Sequence, residues 1–301
     1  ITVEYLALTN YSGVSFPDFS DVTDNAGIDD EPSLKYAGPS IADVNNDGHY
    51  DFVLNNHNDS PSKLYWSNGD GTFVKQDPDL SLWNMMDLHG SAAGDYDNDG
   101  DLDLVISLGG GNGTNPTLPV FYRNDNGTLV KDETGVGITV GARGRSPRWV
   151  DLDLDGDLDL MLFNAEGING NNDEQHIFYE NLGNGSFQIH NIPGLEGTNG
   201  DRVLVTDLDN DHIDDIVLFS PLSLWKGNGD FTFTNVNQWL PLGTAGSYGI
   251  MAATDIDLDN DGDLDLYLAR GKGYFVIADQ NAADFHTLDN ILDLRTSGSQ
   301  G

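Results

Sequence analysis

The sequence predicts an all-β fold, a β-propeller of four-stranded antiparallel blades, on three observations. An aspartate-rich nonapeptide recurs five times, starting at residues 43, 95, 151, 207 and 257, so that successive copies lie 52, 56, 56 and 50 residues apart. Each copy is bracketed by short apolar segments of strand type, and each unit then continues with a third strand, a Gly/Asn turn and a fourth strand. A long fixed period marks a repeat architecture, and four strands per period is the unit of a propeller. A β-helix of Asp/Gly repeats would instead show a period of about nine residues, which is absent.

The elements follow in chain order. First strands are expected at Pro39–Asp43, Ser91–Asp95, Arg148–Asp151, Arg202–Asp207 and Ile250–Asp255. Second strands are expected at Asp51–Asn55, Asp103–Leu108, Asp159–Asn164, Asp215–Ser220 and Asp265–Ala269. The third strand, turn and fourth strand are read in Leu64–Phe73, Phe121–Leu129, Phe178–Phe187 and Leu224–Phe231, and in Tyr274–Asp279 with Asp284–Leu288. The units run roughly 38–90, 91–146, 147–201, 202–249 and 250–289 of one domain spanning 1–301. Residues 1–37 and 290–301 are expected to close the fold as a composite blade, built from Val3–Leu8, Val14–Val22 and Ile291–Arg295. Six blades leave no exposed edge; seven would need missing chain or a very irregular blade.

The nonapeptides themselves are metal-loop chemistry. The copies are Asp43-Val-Asn-Asn-Asp-Gly-His-Tyr-Asp51, Asp95-Tyr-Asp-Asn-Asp-Gly-Asp-Leu-Asp103, Asp151-Leu-Asp-Leu-Asp-Gly-Asp-Leu-Asp159, Asp207-Leu-Asp-Asn-Asp-His-Ile-Asp-Asp215 and Asp257-Leu-Asp-Asn-Asp-Gly-Asp-Leu-Asp265. Positions 1, 3, 5 and 9 supply oxygen: Asp43, Asn45, Asp47 and Asp51; Asp95, Asp97, Asp99 and Asp103; Asp151, Asp153, Asp155 and Asp159; Asp207, Asp209, Asp211 and Asp215; Asp257, Asp259, Asp261 and Asp265. With a sharp turn at position 6, such a set suits calcium, a hard cation that takes six to eight oxygens. An EF-hand needs a bidentate Glu at position 12 and flanking helices. Position 12 is Leu54, Ile106, Leu162, Leu218 or Leu268, which excludes it. In the fourth copy His212 stands where glycine takes φ > 0 freely, so that loop is expected to be the weakest site. In the fifth, a register starting at Asp255 competes with the glycine-matched one starting at Asp257.

Composition narrows the function classes. The 301 residues carry 13 Lys and Arg against 50 Asp and Glu, a net charge of −37. Five divalent ions would bring it to about −27. Acid at regular sites reads as metal ligation, and the residual negative surface argues against nucleic acid, whose phosphates need Lys and Arg; a salt-adapted surface is the bland account of the remainder. There is no cysteine, so no disulfide or thiol site exists. No apolar run approaches the length of a membrane span. The chain begins at Ile1, which suggests a processed mature segment, and weak calcium loops fill at extracellular calcium levels; an extracellular or cell-surface location is therefore expected. The sequons at Asn10, Asn58, Asn112, Asn126 and Asn184 would matter in a glycosylating host.

These residues resemble the FG-GAP/VCBS repeat of integrin α-chain propellers, and resemble still more the acidic propellers associated with the ASPIC/UnbV family. His89-Gly-Ser-Ala-Ala-Gly-Asp-Tyr-Asp-Asn-Asp-Gly-Asp-Leu-Asp-Leu-Val105, Phe19–Ile28 and Phe121–Leu129 carry the likeness, which spans roughly 16–270. The resemblance implies calcium held by positions 1, 3, 5 and 9 and by the backbone carbonyl of position 7, here His49, Asp101, Asp157, Ile213 and Asp263. Those types vary as expected if only the carbonyl binds.

The opposite face carries the longer connections, where binding residues concentrate. His89 and Arg145 both sit six residues before their loops and Arg202 five before its own. With Arg148 they would form a cationic spot for a carboxylate or sulfate, with Trp83, Trp239 and Tyr248 available to stack on a sugar or a partner side chain. The bland alternatives are ion pairs with neighbouring acids and packing between blades. Two function classes remain: a secreted, calcium-stabilised adhesion or recognition module for a glycan or protein partner, and a polysaccharide-cleaving enzyme, such as a lyase, on the same scaffold.

Overall fold

The computed structural model describes residues 20–28, 40–55, 62–76, 88–109, 117–132, 136–165, 176–196, 198, 200–219, 221–240, 245–246, 248–257, 264–269, 273–277 and 286–287. Two compact units are formed, one of residues 22–201 with 229–232, the other of 202–228 and 233–301 with 1–21.

The first unit holds three four-stranded antiparallel sheets. They are β1 (Ser40–Ala42), β2 (Asp51–Leu54), β3 (Lys63–Ser67) and β4 (Phe73–Gln76); β5 (Leu88–Gly94), β6 (Asp103–Leu108), β7 (Val120–Asp125) and β8 (Thr128–Asp132); and β9 (Gly144–Val150), β10 (Asp159–Asn164), β11 (Ile177–Asn181) and β12 (Phe187–His190). The second unit holds β13 (Val203–Thr206), β14 (Asp215–Phe219), β15 (Leu222–Gly227) and β16 (Phe233–Asn235), then β17 (Ala252–Ile256), β18 (Asp265–Ala269), β19 (Gly273–Ile277) and β20 (His286–Thr287). In every sheet the strands lie in chain order, each paired with the next. This is the up-and-down blade of a β-propeller. Among the described residues there is one turn of 3-10 helix, Asn237–Trp239, and no α-helix. Of the expected closing strands, Val3–Leu8, Ile291–Arg295 and residues 14–19 of the Val14–Val22 strand lie outside the described residues, and residues 20–22 of the last are not in a strand.

Burial explains the sequence pattern. All residues of β6, β10 and β14 are buried, which is why the segments after the nonapeptides read as continuous apolar runs and not as alternation. Position 2 of each described loop, Val44, Tyr96, Leu152 or Leu208, is buried although it lies outside the strands. Tyr96 stacks on Trp149 at a ring-centroid distance of 5.9 Å, and Phe121 and Phe187 complete the cluster. Each loop is thus pinned to the core at its second residue.

First strands begin earlier than the sequence suggests, at Leu88 and Gly144. The added residues pair with the far ends of the second strands, Leu88 with Leu108 and Gly144 with Asn164, each beyond a register shift. β5 and β9 also approach closely, since a Cβ on Gly90 would stand 2.1 Å from the Arg145 carbonyl oxygen. Another difference concerns Phe231, read as the start of a fourth strand. It occupies a left-handed turn position (φ 58°) equivalent to Gly71 and Gly185, and its ring packs on His190 at 4.1 Å; β16 starts two residues later.

Position 4 of the loops is also left-handed, with Asn46, Asn98 and Asn210 at φ 56°, 58° and 58°. Asparagine tolerates this region; Leu154, at φ 62°, does not. Leu154 is also largely exposed. Replacing it by Asn is expected to stabilise the chain by about 1 kcal/mol, read as a higher denaturant midpoint at unchanged slope. A lower midpoint contradicts strain at this position.

Candidate metal centres

The four loops described in full share one hydrogen-bond pattern. The position-1 carboxylate accepts two backbone N–H groups, from position 5 on Oδ1 and position 6 on Oδ2. The distances are 3.0 and 2.8 Å at Asp43, 3.1 and 3.0 Å at Asp95, 3.1 and 3.1 Å at Asp151, and 3.1 and 2.8 Å at Asp207. The position-5 Oδ1 then accepts the position-7 N–H at 2.9 Å in all four. Position 6 takes positive φ at Gly48, Gly100 and Gly156, and His212 follows at 68°. An aspartate oxygen has two lone pairs, so these turns fold the loop and leave acceptor capacity on the same carboxylates.

Position 9, expected as a ligand, has a backbone-binding role that the spacing did not reveal. Asp103 is fully buried; its Oδ2 accepts Tyr96 N–H at 3.1 Å and its Oδ1 accepts Asn124 N–H at 2.8 Å. Asp51, Asp159 and Asp215 repeat this with Val44 and Ser67, Leu152 and Asn181, and Leu208 and Gly227. The carboxylate clamps the loop to the end of the third strand. Asn124 and Asn181 add a second tie: their Nδ2 donates to Val44 O and to Tyr96 O at 2.7 Å, in the preceding loop. The signal was present in the repeated Phe-Tyr-x-Asn of residues 121–124 and 178–181.

The clusters can hold metal ions. Asp95, Asp97 and Asp99 each offer an oxygen, all within 4.8 Å of one another, and so do Asp151, Asp153 and Asp159, and Asp207, Asp209 and Asp215. Asp97 Oδ1 is buried without a hydrogen-bond partner, an expensive state for a carboxylate unless a cation meets it. Burial, then repulsion from Asp99 and Asp95, holds the Asp97 carboxyl above its usual range. Burial likewise pushes Asp103, Asp159 and Asp215 up to about 7 against the lowering effect of their backbone donors. The donor set is oxygen only, which fits a hard cation.

Position 7, expected to matter through its carbonyl alone, also works through its side chain. Asp101 accepts from Asn46 Nδ2 at 2.7 Å and from Asn126 N–H at 2.7 Å. Asp157 accepts from Asn98 Nδ2 at 2.5 Å. Position 4 of one loop is therefore bonded to position 7 of the next, tying the first three loops together. In the fifth loop Asp255 lies within β17, paired with Leu266, and accepts from Thr206 Oγ1 at 2.5 Å. That use of Asp255 favours the glycine-matched register from Asp257 to Asp265. Asp259, Asp261 and Asp263 lie outside the described residues.

The raised aspartates set a pH dependence for the metal-free chain. Between the ordinary aspartate value and about 7, the folded state binds more protons at Asp103, Asp159 and Asp215 than the unfolded state, so stability falls as pH rises through that window. Buried His176, pushed down to about 4, acts oppositely, withdrawing stability as pH falls below its ordinary value. Three groups outweigh one. In EGTA the melting temperature is expected to be higher at pH 5.5 than at pH 7.5; a fall on acidification contradicts this.

Residues 36–106 match the family model of an FG-GAP-like repeat. Over those residues the chain carries an FG-GAP-like repeat, within a fold of four-stranded antiparallel sheets of β-propeller type. Among solved structures this propeller resembles a lectin of Agrocybe aegerita that specifically recognises non-reducing terminal N-acetylglucosamine, with a TM-score of 0.58 at 18% identity over 86% of this chain and 67% of that one. Weaker likenesses are to the Tc holotoxin pore of Photorhabdus luminescens (TM-score 0.45, 17% identity, 82% of this chain and 12% of that one) and to the V. cholerae biofilm matrix protein Bap1 (0.40, 12%, 85% and 39%). No curated protein matches the propeller by sequence.

The other candidate residues of the propeller divide between its two units. His89 on β5 and Arg145 and Arg148 on β9 lie on adjacent first strands of the first unit. Burial corrects the expectation for His89, an interior side chain at 3% exposure. Arg145 is partly exposed, donates to the Gly144 carbonyl at 2.9 Å and stands 3.8 Å from Asp201. Arg148 donates to the Pro147 carbonyl at 2.7 Å, and burial lowers the pKa of its guanidinium. In the second unit Arg202 donates to the Met251 carbonyl at 3.2 Å, and Tyr248 is exposed. Trp239 is corrected as well: it packs in a core with Leu224, Val236 and Leu240, because its 3-10 turn folds back on β15. Trp83 lies outside the described residues. No helix among the described residues is long and apolar enough to cross a membrane.

Proposed function

We propose that this protein is an extracellular recognition module: a β-propeller whose loops are fixed by calcium and whose opposite end binds a glycan. The observation that carries the calcium reading is the buried, unpartnered Asp97 Oδ1 inside a cluster of aspartates whose backbone bonds already shape a ligand loop. Positions 1, 3, 5 and 9, with the position-7 carbonyl, would hold the ion. Calcium would supply positive charge against the mutual repulsion of the carboxylates, a structural role and not a catalytic one. Support for a glycan comes from the fold shared with a lectin and from two arginines on β9, a residue type suited to carboxylate or sulfate. An acidic sugar fits this chemistry, and an acidic protein side chain is the other partner to test.

A glycan array on calcium-loaded protein, paired with an absorbance assay for unsaturated uronate on acidic polysaccharides, tests the reading. Binding without product formation is expected, and Arg145→Ala is expected to weaken it by about 1.5–3 kcal/mol, as for a charged hydrogen bond. Unsaturated product would make the protein a lyase. The burial of His89 removes one of the acid–base candidates such an enzyme would use.

A further inference from the structure

The fourth loop already contains a cation. Lys226 of β15 donates from Nζ to Asp209 Oδ2 and to Asp211 Oδ2, ligand positions 3 and 5. The Asp209 side chain is only 8% exposed and that of Lys226 25%, so the contact is substantially shielded from water. Its place is set by register. Gly227 N–H donates to Asp215 as Ser67, Asn124 and Asn181 N–H donate to their own position-9 aspartates. The residues equivalent to Lys226 are therefore Trp66, Arg123 and Glu180.

None of these three brings a cation into its loop. Trp66 has no charge. Arg123 turns away to Asp125, with bonds of 3.1 and 3.0 Å. One oxygen of the position-3 aspartate, Asp97 Oδ1 here and Asp209 Oδ1 in the fourth loop, is buried without a partner in both, and only in the fourth does a lysine meet the other oxygen. Glu180 pairs with His190 at 3.3 Å. The fourth loop also departs at position 6, where His212 takes φ 68°, and at position 7, where Ile213 replaces aspartate. Its backbone bonds nevertheless match the other loops, so the turn is kept while the charge is met from within. An ammonium is a compact point charge with three donors and no acceptor, and placed between positions 3 and 5 it takes the space of a metal that needs six to eight oxygens.

We propose that the fourth loop holds no divalent cation: Lys226 Nζ stands in its place, and this blade is fixed without calcium while the first three loops depend on it. The proposal rests on the calcium reading of those loops. Calcium bound by the whole chain is counted by equilibrium dialysis against calcium chloride and elemental analysis, for the native protein, Asp97→Ala, Asp211→Ala and Lys226→Met. Asp97→Ala is expected to lose one ion, Asp211→Ala none, and Lys226→Met to gain one. Loss of one ion in both aspartate variants, or an unchanged count in Lys226→Met, overturns the proposal while the calcium reading stands. A native count of zero overturns both. Melting curves provide a second measurement: Lys226→Met should melt below the native protein in EGTA and recover more with calcium than the native protein does. Equal calcium responses of the two proteins overturn the proposal.

Discussion

Removing calcium with EGTA is expected to lower the melting temperature of this protein by roughly 15–30 °C. Each site at a hundredfold excess of free ion over its dissociation constant contributes about 2.7 kcal/mol. Three dependent loops then contribute roughly 8 kcal/mol, and 1 kcal/mol moves the midpoint of a domain of this size class by about 2–4 °C. The physical cause is seen in the second and third loops, where Asp97 Oδ1 is buried without a partner and the Asp97 and Asp153 carboxyls sit above their usual range through burial and then repulsion from their neighbours. Scanning fluorimetry in EGTA and in excess calcium, at equal ionic strength and pH 7.5, reads the difference. Magnesium, which dehydrates reluctantly and demands octahedral geometry, should restore little of it. An unchanged melting temperature in EGTA would remove calcium from this account.

Asp103→Ala should be the most damaging single loop substitution, costing about 3–5 kcal/mol. Tyr96 N–H and Asn124 N–H both lose their acceptor inside the protein, and an unsatisfied buried donor costs about 1–3 kcal/mol; the missing side-chain contacts add to this. Asp103→Asn keeps one acceptor and should cost roughly half as much, although it too would lose the ion at that loop. Position 5 provides the comparison. Asp99→Ala removes a ligand but only the single, partly exposed bond to Asp101 N–H. In EGTA, where no ion is at stake, Asp103→Ala should therefore remain strongly destabilised while Asp99→Ala should not. Equal losses for the two in EGTA would show that position 9 is a ligand and nothing more.

Much of the fold was legible because the repeat is local. Ligand residues, the turn at position 6 and the apolar run after each loop fall within about fifteen consecutive residues, and position 12 alone excluded the EF-hand. The unusual backbone at His212 was readable too, since its four aligned copies carry glycine and the structure gives it φ 68°. The left-handed position 4 was not read, although asparagine in four copies out of five was its trace; the exception, Leu154, shows that the turn imposes the conformation even on a residue that resists it.

What the sequence determined by itself is the periodic part: blades of four strands and an oxygen-ligand loop between the first two, because side-chain-to-backbone bonds over two to five residues specify them. Tertiary structure decided how the loops are held and which of them keep their charge uncompensated. Whether Asp103 is a ligand or a clamp depends on Asn124, twenty-one residues away. Asn46 was tied to Asp101, in the next loop, only when two blades came side by side. His89 and Trp239 went to the interior through packing that no local pattern encodes. Lys226 reached Asp209 and Asp211 because pairing of β14 with β15 fixes its place beside them, and a charge fifteen residues distant has no meaning for a loop until strand register sets its position.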